Sequence, residues 1–197
     1  MFSNAVLDGS TLPSTEERAP SRVAVFAGRL LAWKGVAIGI SAIAESPDWC
    51  LVVYGSGPDE RRLRRLAELL GVVELVEFRG WVARERVQEV MRTEADVFLF
   101  PSVHDEAGWV VVEAMAAGLP VICLNVGGPP VLIGRSGYPI SIRGGKTIVV
   151  KMIAEALDAT TFTARLAARE RSTVFRQDVV ESRLRDLVRS EFPELEI

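Results

Sequence analysis

Between Val97 and Pro130 the chain reads VFLFPSVHDEAGWVVVEAMAAGLPVICLNVGGPP, a stretch that only a buried strand–helix–strand unit accommodates well. Val97 to Phe100 is an unbroken apolar run of strand length. A polar loop follows, holding Pro101, Ser102, His104, Asp105 and Glu106. Gly108 opens a helical stretch from Trp109 to Ala117, which Gly118 and Pro120 end. Val121 to Leu124 is a second apolar run leading into a glycine loop. The helix is apolar on nearly every side, through Val110, Val111, Val112, Ala114, Met115, Ala116 and Ala117, which implies burial all round. Glu113 is the only charge among them. A buried carboxylate without a partner costs several kcal/mol, so Glu113 needs one; a pair of ligand hydroxyls is one candidate.

The same alternation runs through the rest of the chain. Short strand-like segments occur at Val23–Ala27, Cys50–Tyr54, 76–79 and 138–142. Helical segments separate them, to about Ala44, at 59–70, at 83–94 and from Gly145 almost to the end, with breaks near 158–161 and Arg176. Apolar runs rather than alternating ones predict a parallel sheet covered on both faces. The fold class expected is therefore α/β, a doubly wound parallel six-stranded sheet with helices on both faces. Residues 1–21 carry little periodicity and read as a linker or hinge arm; 22–158 form the main domain, and 159–197 are helices packing on it. Leu166, Val174, Phe175, Leu184, Leu187 and Val188 supply the apolar stripe for that packing.

Composition excludes several classes. With 197 residues, 49% hydrophobic and 25% charged, the chain is of ordinary globular composition. A net charge of −3 gives no footprint for nucleic acid. No apolar run approaches the ~18 residues that a membrane span needs, and no signal-peptide pattern opens the chain. A cytoplasmic protein, free or at the inner face of the membrane, is expected. Two cysteines, Cys50 and Cys123, fall in buried strands and read as core thiols; with one histidine they make no zinc cluster of usual spacing. Arg61, Arg62, Arg64 and Arg65 form the densest basic run. They read as a solvated helix face, the alternative being contact with acidic lipid or a partner.

Charged groups gather where the strands end. Arg29 and Lys34 follow the first strand, at the mouth of the sheet where open α/β sheets bind ligands. Arg29 can grip an anion through two parallel hydrogen bonds and Lys34 adds a point charge; solvated loop cations are the plain alternative. Gly55-Ser56-Gly57-Pro58 lacks the third glycine of a dinucleotide fingerprint, since Glu60 occupies that place, and reads instead as a tight turn lining a pocket.

Taken in order, Gly28-Arg29-Leu30 with Lys34-Gly35, Gly55-Ser56-Gly57-Pro58, Phe78-Arg79-Gly80, Ala95-Asp96, Phe100-Pro101-Ser102, Glu113 to Val121 and Gly127-Gly128-Pro129 resemble the carboxyl-terminal, donor-binding domain of a retaining glycosyltransferase of the GT-B fold, family 4 (glycosyl transferases group 1). The likeness covers about residues 24–142, and Asn4 to Asp8 resembles the hinge that enters such a domain. It implies that the acceptor-binding amino-terminal domain is absent from this chain. It also implies metal-independent transfer of sugar from a nucleoside-diphosphate sugar, a UDP or GDP sugar for instance, as in polysaccharide biosynthesis, with no cofactor. No Asp-x-Asp metal motif occurs. By position, Arg29 and Lys34 match the cations on the diphosphate, and Glu113 matches a ligand of the ribose hydroxyls. Asp105, with seven residues between it and Glu113, matches the acidic group on the sugar, where Glu is commoner; Glu106 is the competing candidate. Gly28, Gly55 and Gly57 belong to the binding loops, Trp81 and Val82 to the wall beside the base. Ala107, Gly108, Trp109 and Val110 match the loop and helix start that meet phosphate or sugar. Val131 stands where relatives carry Glu and receives no role. His104 is read as a loop residue near the sugar rather than a base, Trp33 as near the cleft, Trp49 as core. The resemblance further suggests that the last helix reaches toward the absent domain, leaving an apolar patch through which the chain self-associates. Alternatives are a nucleotide-sugar-binding module without transferase activity, or a domain like that of a sugar-nucleotide epimerase.

Overall fold

Six parallel strands form one sheet in a computed structural model that describes residues 19–106 and 108–191. They are β1 (Val23–Ala27), β2 (Cys50–Tyr54), β3 (Val76–Gly80), β4 (Val97–Phe100), β5 (Val121–Leu124) and β6 (Tyr138–Ile140), in the spatial order β3-β2-β1-β4-β5-β6. Every residue of β4 and β5 is buried, which is why both read as unbroken apolar runs. At the sheet edge β3 alternates instead, with Val76 buried and Glu77 and Arg79 exposed.

Helices α1 (Val36–Ala44), α2 (Glu60–Leu69), α3 (Arg84–Thr93), α4 (Trp109–Ala116), α5 (Pro129–Ile133), α6 (Gly145–Asp158), α7 (Phe162–Ser172) and α8 (Gln177–Glu191) connect and follow the strands. α1 packs on α2 and α6, and α4 on α3, α5 and α7. With right-handed crossovers these two groups cover opposite faces. The doubly wound expectation is met, with the strand order reversing between β1 and β4.

The core is centred on Phe26, Phe98 and Phe100, whose rings stack at 6.3 and 5.9 Å between centroids. Trp49 is buried as expected, and its Nε1–H donates to Asp158 Oδ1 at 3.0 Å, tying the start of β2 to the end of α6. Buried Arg165 fixes α7: its Nη1 donates to the Ala95 carbonyl at 2.8 Å and lies 3.5 Å from Asp96 Oδ1. Asp96 Oδ2 in turn accepts from the Val23 backbone N–H at 3.3 Å. A buried arginine whose hydrogen bonds are filled in this way holds a helix in register rather than merely adding charge.

Four sequence expectations change. The sixth strand ends at Ile140, short of Ile142, because the Ser141 hydroxyl accepts from the Arg143 N–H and turns the chain out of the sheet. Helix α8 buries none of its residues, and Leu184 and Leu187, expected to pack, are exposed together with Val180. Leu166 on α7 is exposed as well. Cys50, at the first position of β2, is half-buried, whereas Cys123 is fully buried and its thiol is pushed up to about 12 by desolvation; both are free. In the basic run of α2, Arg62 and Arg64 pair with Asp59 and Glu60, and Arg64 lies over the Phe78 ring. Residues 1–18, including the hinge-like segment, lie outside the described residues, as does Ala107. No helix among the described residues is long and apolar enough to cross a membrane.

Candidate functional site

Where the order reverses between β1 and β4, their exit loops part to opposite faces and then meet again. The Trp33 carbonyl accepts from the Val103 N–H at 2.8 Å and from the Ser102 hydroxyl at 3.1 Å. Gly35 closes the first loop with φ at 73°, and a Cβ there would overlap the Pro101 carbonyl oxygen. Only glycine satisfies both the left-handed backbone and that close approach. Locked this way, the loops bring Lys34 Nζ to 2.6 Å from Asp105 Oδ1, with the two side chains only 19% and 15% exposed. Lys34 also lies over the Phe100 ring, 5.4 Å from its centroid. Asp105 Oδ2 is buried and has no hydrogen-bond partner among the described residues. Its backbone carbonyl accepts from the Gly128 N–H at 2.9 Å, which fastens the loop after β5 to the same centre. Glu106 and His104 point to solvent, so Asp105 is the inward acid of this loop.

A cleft of about 270 Å³ opens at the carboxyl ends of β1, β2 and β3. Ala27, Gly28 and Arg29 line it from β1, Tyr54, Gly55 and Ser56 from β2, Trp81 and Val82 from the loop after β3, and Val87 from α3. Its floor is made of backbone. Gly28 N–H donates to Tyr54 O at 3.0 Å, Leu30 N–H to Ser56 O at 3.0 Å, and Gly55 N–H to Gly80 O at 2.7 Å. Gly55 has φ at 131° and packs directly on the Gly28 carbonyl, so the Gly-x-Gly pair joins neighbouring loops. Burial raises the Tyr54 hydroxyl above its usual range. Trp81 is 79% exposed, a free aromatic face at the rim. Of the residues expected from sequence, Gly28, Arg29, Gly55, Trp81 and Val82 line the cleft; Lys34, Asp105, Glu113 and Gly57 do not, Gly57 sitting against the Leu30 backbone. Tyr54 and Val87 line it without having been singled out, and Ser56 lines it as part of the turn expected to border a pocket. The signal for Tyr54 was its place at the carboxyl end of a central strand.

Glu113 resolves differently from expectation. Val111, Val112, Ala114 and Met115 of α4 are buried and the Glu113 side chain is 15% exposed, but it does have a protein partner. Arg84, in the first turn of α3, donates from Nη2 to Glu113 Oε1 at 2.7 Å while remaining 46% exposed. Arg84 lies between two cleft-lining positions, Val82 and Val87, so the ion pair joins the cleft wall to α4. Gly108 takes a left-handed conformation before α4, and Trp109 is exposed; Gly108, Trp109 and Val110 stand at that helix start and are not part of the cleft wall. Val131 is exposed, and its carbonyl accepts from Arg171. Among the described residues no three His, Cys, Asp or Glu side chains gather into a metal-holding group.

A parallel sheet whose order reverses beside a cleft at the strand ends defines the doubly wound α/β class, in which ligands lie outside the carboxyl ends of the strands. Within that class the chain belongs to the glycosyl transferases group 1 family, whose model matches residues 11–157. It is 30% identical over 161 residues to the lipopolysaccharide core biosynthesis glycosyltransferase LpsE of Rhizobium meliloti, a match covering 81% of this chain and 46% of that one. It is 35% identical over 114 residues to the 2-deoxystreptamine glucosyltransferase of Streptomyces kanamyceticus, covering 56% of this chain and 29% of that one. Among solved structures it is similar to WaaG, a glycosyltransferase involved in lipopolysaccharide biosynthesis. That likeness has a TM-score of 0.70 and 29% identity, over 82% of this chain and 45% of that one. It is also similar to Anabaena HepE in complex with UDP, with a TM-score of 0.72 and 25% identity, over 86% and 49%. The chain spans less than half the length of these relatives.

Proposed function

We propose that this chain is the donor-binding half of a retaining, metal-independent glycosyltransferase that moves a sugar from a nucleoside-diphosphate sugar to an acceptor. The observation that carries the reading is the single loop after β1. It lines the cleft with Arg29 and, five residues on, presents Lys34 at the switch point against Asp105. A base lies in the cleft against Trp81 and Val82, with Glu113 taking the ribose hydroxyls. The diphosphate then meets Arg29 and Lys34, and the sugar reaches Asp105. Lys34 has three N–H donors, so contact with Asp105 through one leaves others for phosphate oxygens. The orphaned Asp105 Oδ2 supports the sugar assignment, because a sugar hydroxyl is the donor that it lacks.

In this reading the bond between the anomeric carbon and the diphosphate oxygen breaks, and its electron pair leaves with the diphosphate. Arg29, Lys34 and the amino terminus of α4 stabilise the charge that develops there. These residues supply the donor side of the reaction, and the acceptor is held by groups outside the cleft described.

A UDP sugar is the first donor to test, since HepE was solved with UDP. Calorimetry of the chain against UDP, GDP and ADP sugars, with and without EDTA, should find one nucleotide class bound, with affinity unchanged by the chelator. Arg29→Ala should abolish that binding, and His104→Ala should spare it. Absence of binding to all three, or binding that EDTA removes, would contradict the proposal.

A further inference from the structure

We infer that Arg84 is a positioning residue for ribose recognition: it holds Glu113 so that the carboxylate presents one committed oxygen and one free oxygen to the nucleoside. This rests on the reading of Glu113 as the ribose ligand. Three observations carry it. The contact is a single short hydrogen bond, Arg84 Nη2 to Glu113 Oε1 at 2.7 Å, leaving Oε2 outside the ion pair. Glu113 is otherwise set among the buried apolar residues of α4, which offer its charge no compensation. Arg84 arises from the first turn of α3, between Val82 and Val87, so the element that walls the cleft also fixes the carboxylate.

The physical consequences are twofold. A glutamate side chain has three rotatable torsions, and pinning one oxygen removes most of that freedom before the nucleotide arrives. A bare carboxylate near the path of a diphosphate would also repel it, and the guanidinium cancels that repulsion. Arg84 therefore acts through Glu113: the orienting effect is specific to the ribose hydroxyls, whereas the charge cancellation falls on ribose and deoxyribose forms alike and leaves their ratio untouched.

The test compares the nucleoside diphosphate bound best by the chain, from UDP, GDP and ADP, with its 2′-deoxy counterpart. Hydrogen bonds to a charged group being what they are, the unaltered chain should prefer the ribose form by about tenfold or more. Glu113→Gln, whose amide makes only a neutral hydrogen bond, should cut that preference to about twofold or less. Arg84→Met should reduce it to about twofold, and Arg84→Lys, which restores the charge, should recover most of it. If Arg84→Met does not fold, Arg84→Gln is read in its place. Should the arginine variant keep the full ribose preference, or weaken both nucleotides equally, while Glu113→Gln loses the preference, the inference fails and the role of Glu113 stands. Preference retained in Glu113→Gln, or no diphosphate bound at all, would instead overturn the reading of the site on which the inference rests.

Discussion

Replacing Glu113 with alanine should lower affinity for the nucleotide donor by about 100-fold while leaving the melting temperature within a few degrees of its starting value. The two effects separate because of where the partners lie. On the binding side, the variant loses one or two hydrogen bonds to a charged acceptor, each contributing about 1.5–3 kcal/mol. On the stability side, its protein partner Arg84 is 46% exposed and returns to water once released, so no buried charge is stranded. Titration of both proteins with the same nucleotide, beside a thermal melt, measures the two together. A large fall in melting temperature with unchanged affinity would make Glu113 a structural residue and Arg84 merely its counter-ion.

The second large effect is expected from Gly35→Ala, and it falls on stability. The residue is left-handed, with φ at 73°, and faces the Pro101 carbonyl at the contact between the loops after β1 and β4. A methyl group there combines the cost of an unfavourable backbone region with overpacking against an atom that cannot move without shifting β4. About 3 kcal/mol or more of destabilisation follows, or roughly 10 °C in a chain of this length. Because the same contact sets Lys34 against Asp105, residual folded protein should also bind donor weakly. A variant that melts like the parent would show that the two loops are free to separate.

The architecture was legible because parallel strands buried on both faces leave a distinctive trace. Val97–Phe100 and Val121–Leu124 were readable as strands to the residue, since nothing polar is tolerated on either side of them. The end of β6 was not, because Ile142 is apolar and only the local Ser141 to Arg143 bond shows that the chain has already turned away. The stripe on α8 misled for a different reason: periodicity reveals an apolar face but not whether anything lies against it. At the site, the order of motifs located Arg29, Trp81 and Asp105 at the strand ends. What sequence could not supply were pairings across the fold. Lys34 and Asp105 are 71 positions apart and meet only because the strand order reverses between their strands. Arg84 has the sequence surroundings of any surface arginine in the first turn of a helix, and its role emerges only once α3 is seen beside α4.

The most direct examination of this account is a crystal structure of the chain with a nucleoside-diphosphate sugar bound. The base should lie in the cleft against Trp81 and Val82, the ribose hydroxyls on Glu113 with Arg84 still attached, and the diphosphate between Arg29 and Lys34. A nucleotide seated elsewhere on the sheet, or one in the cleft whose ribose turns away from Glu113, would contradict it.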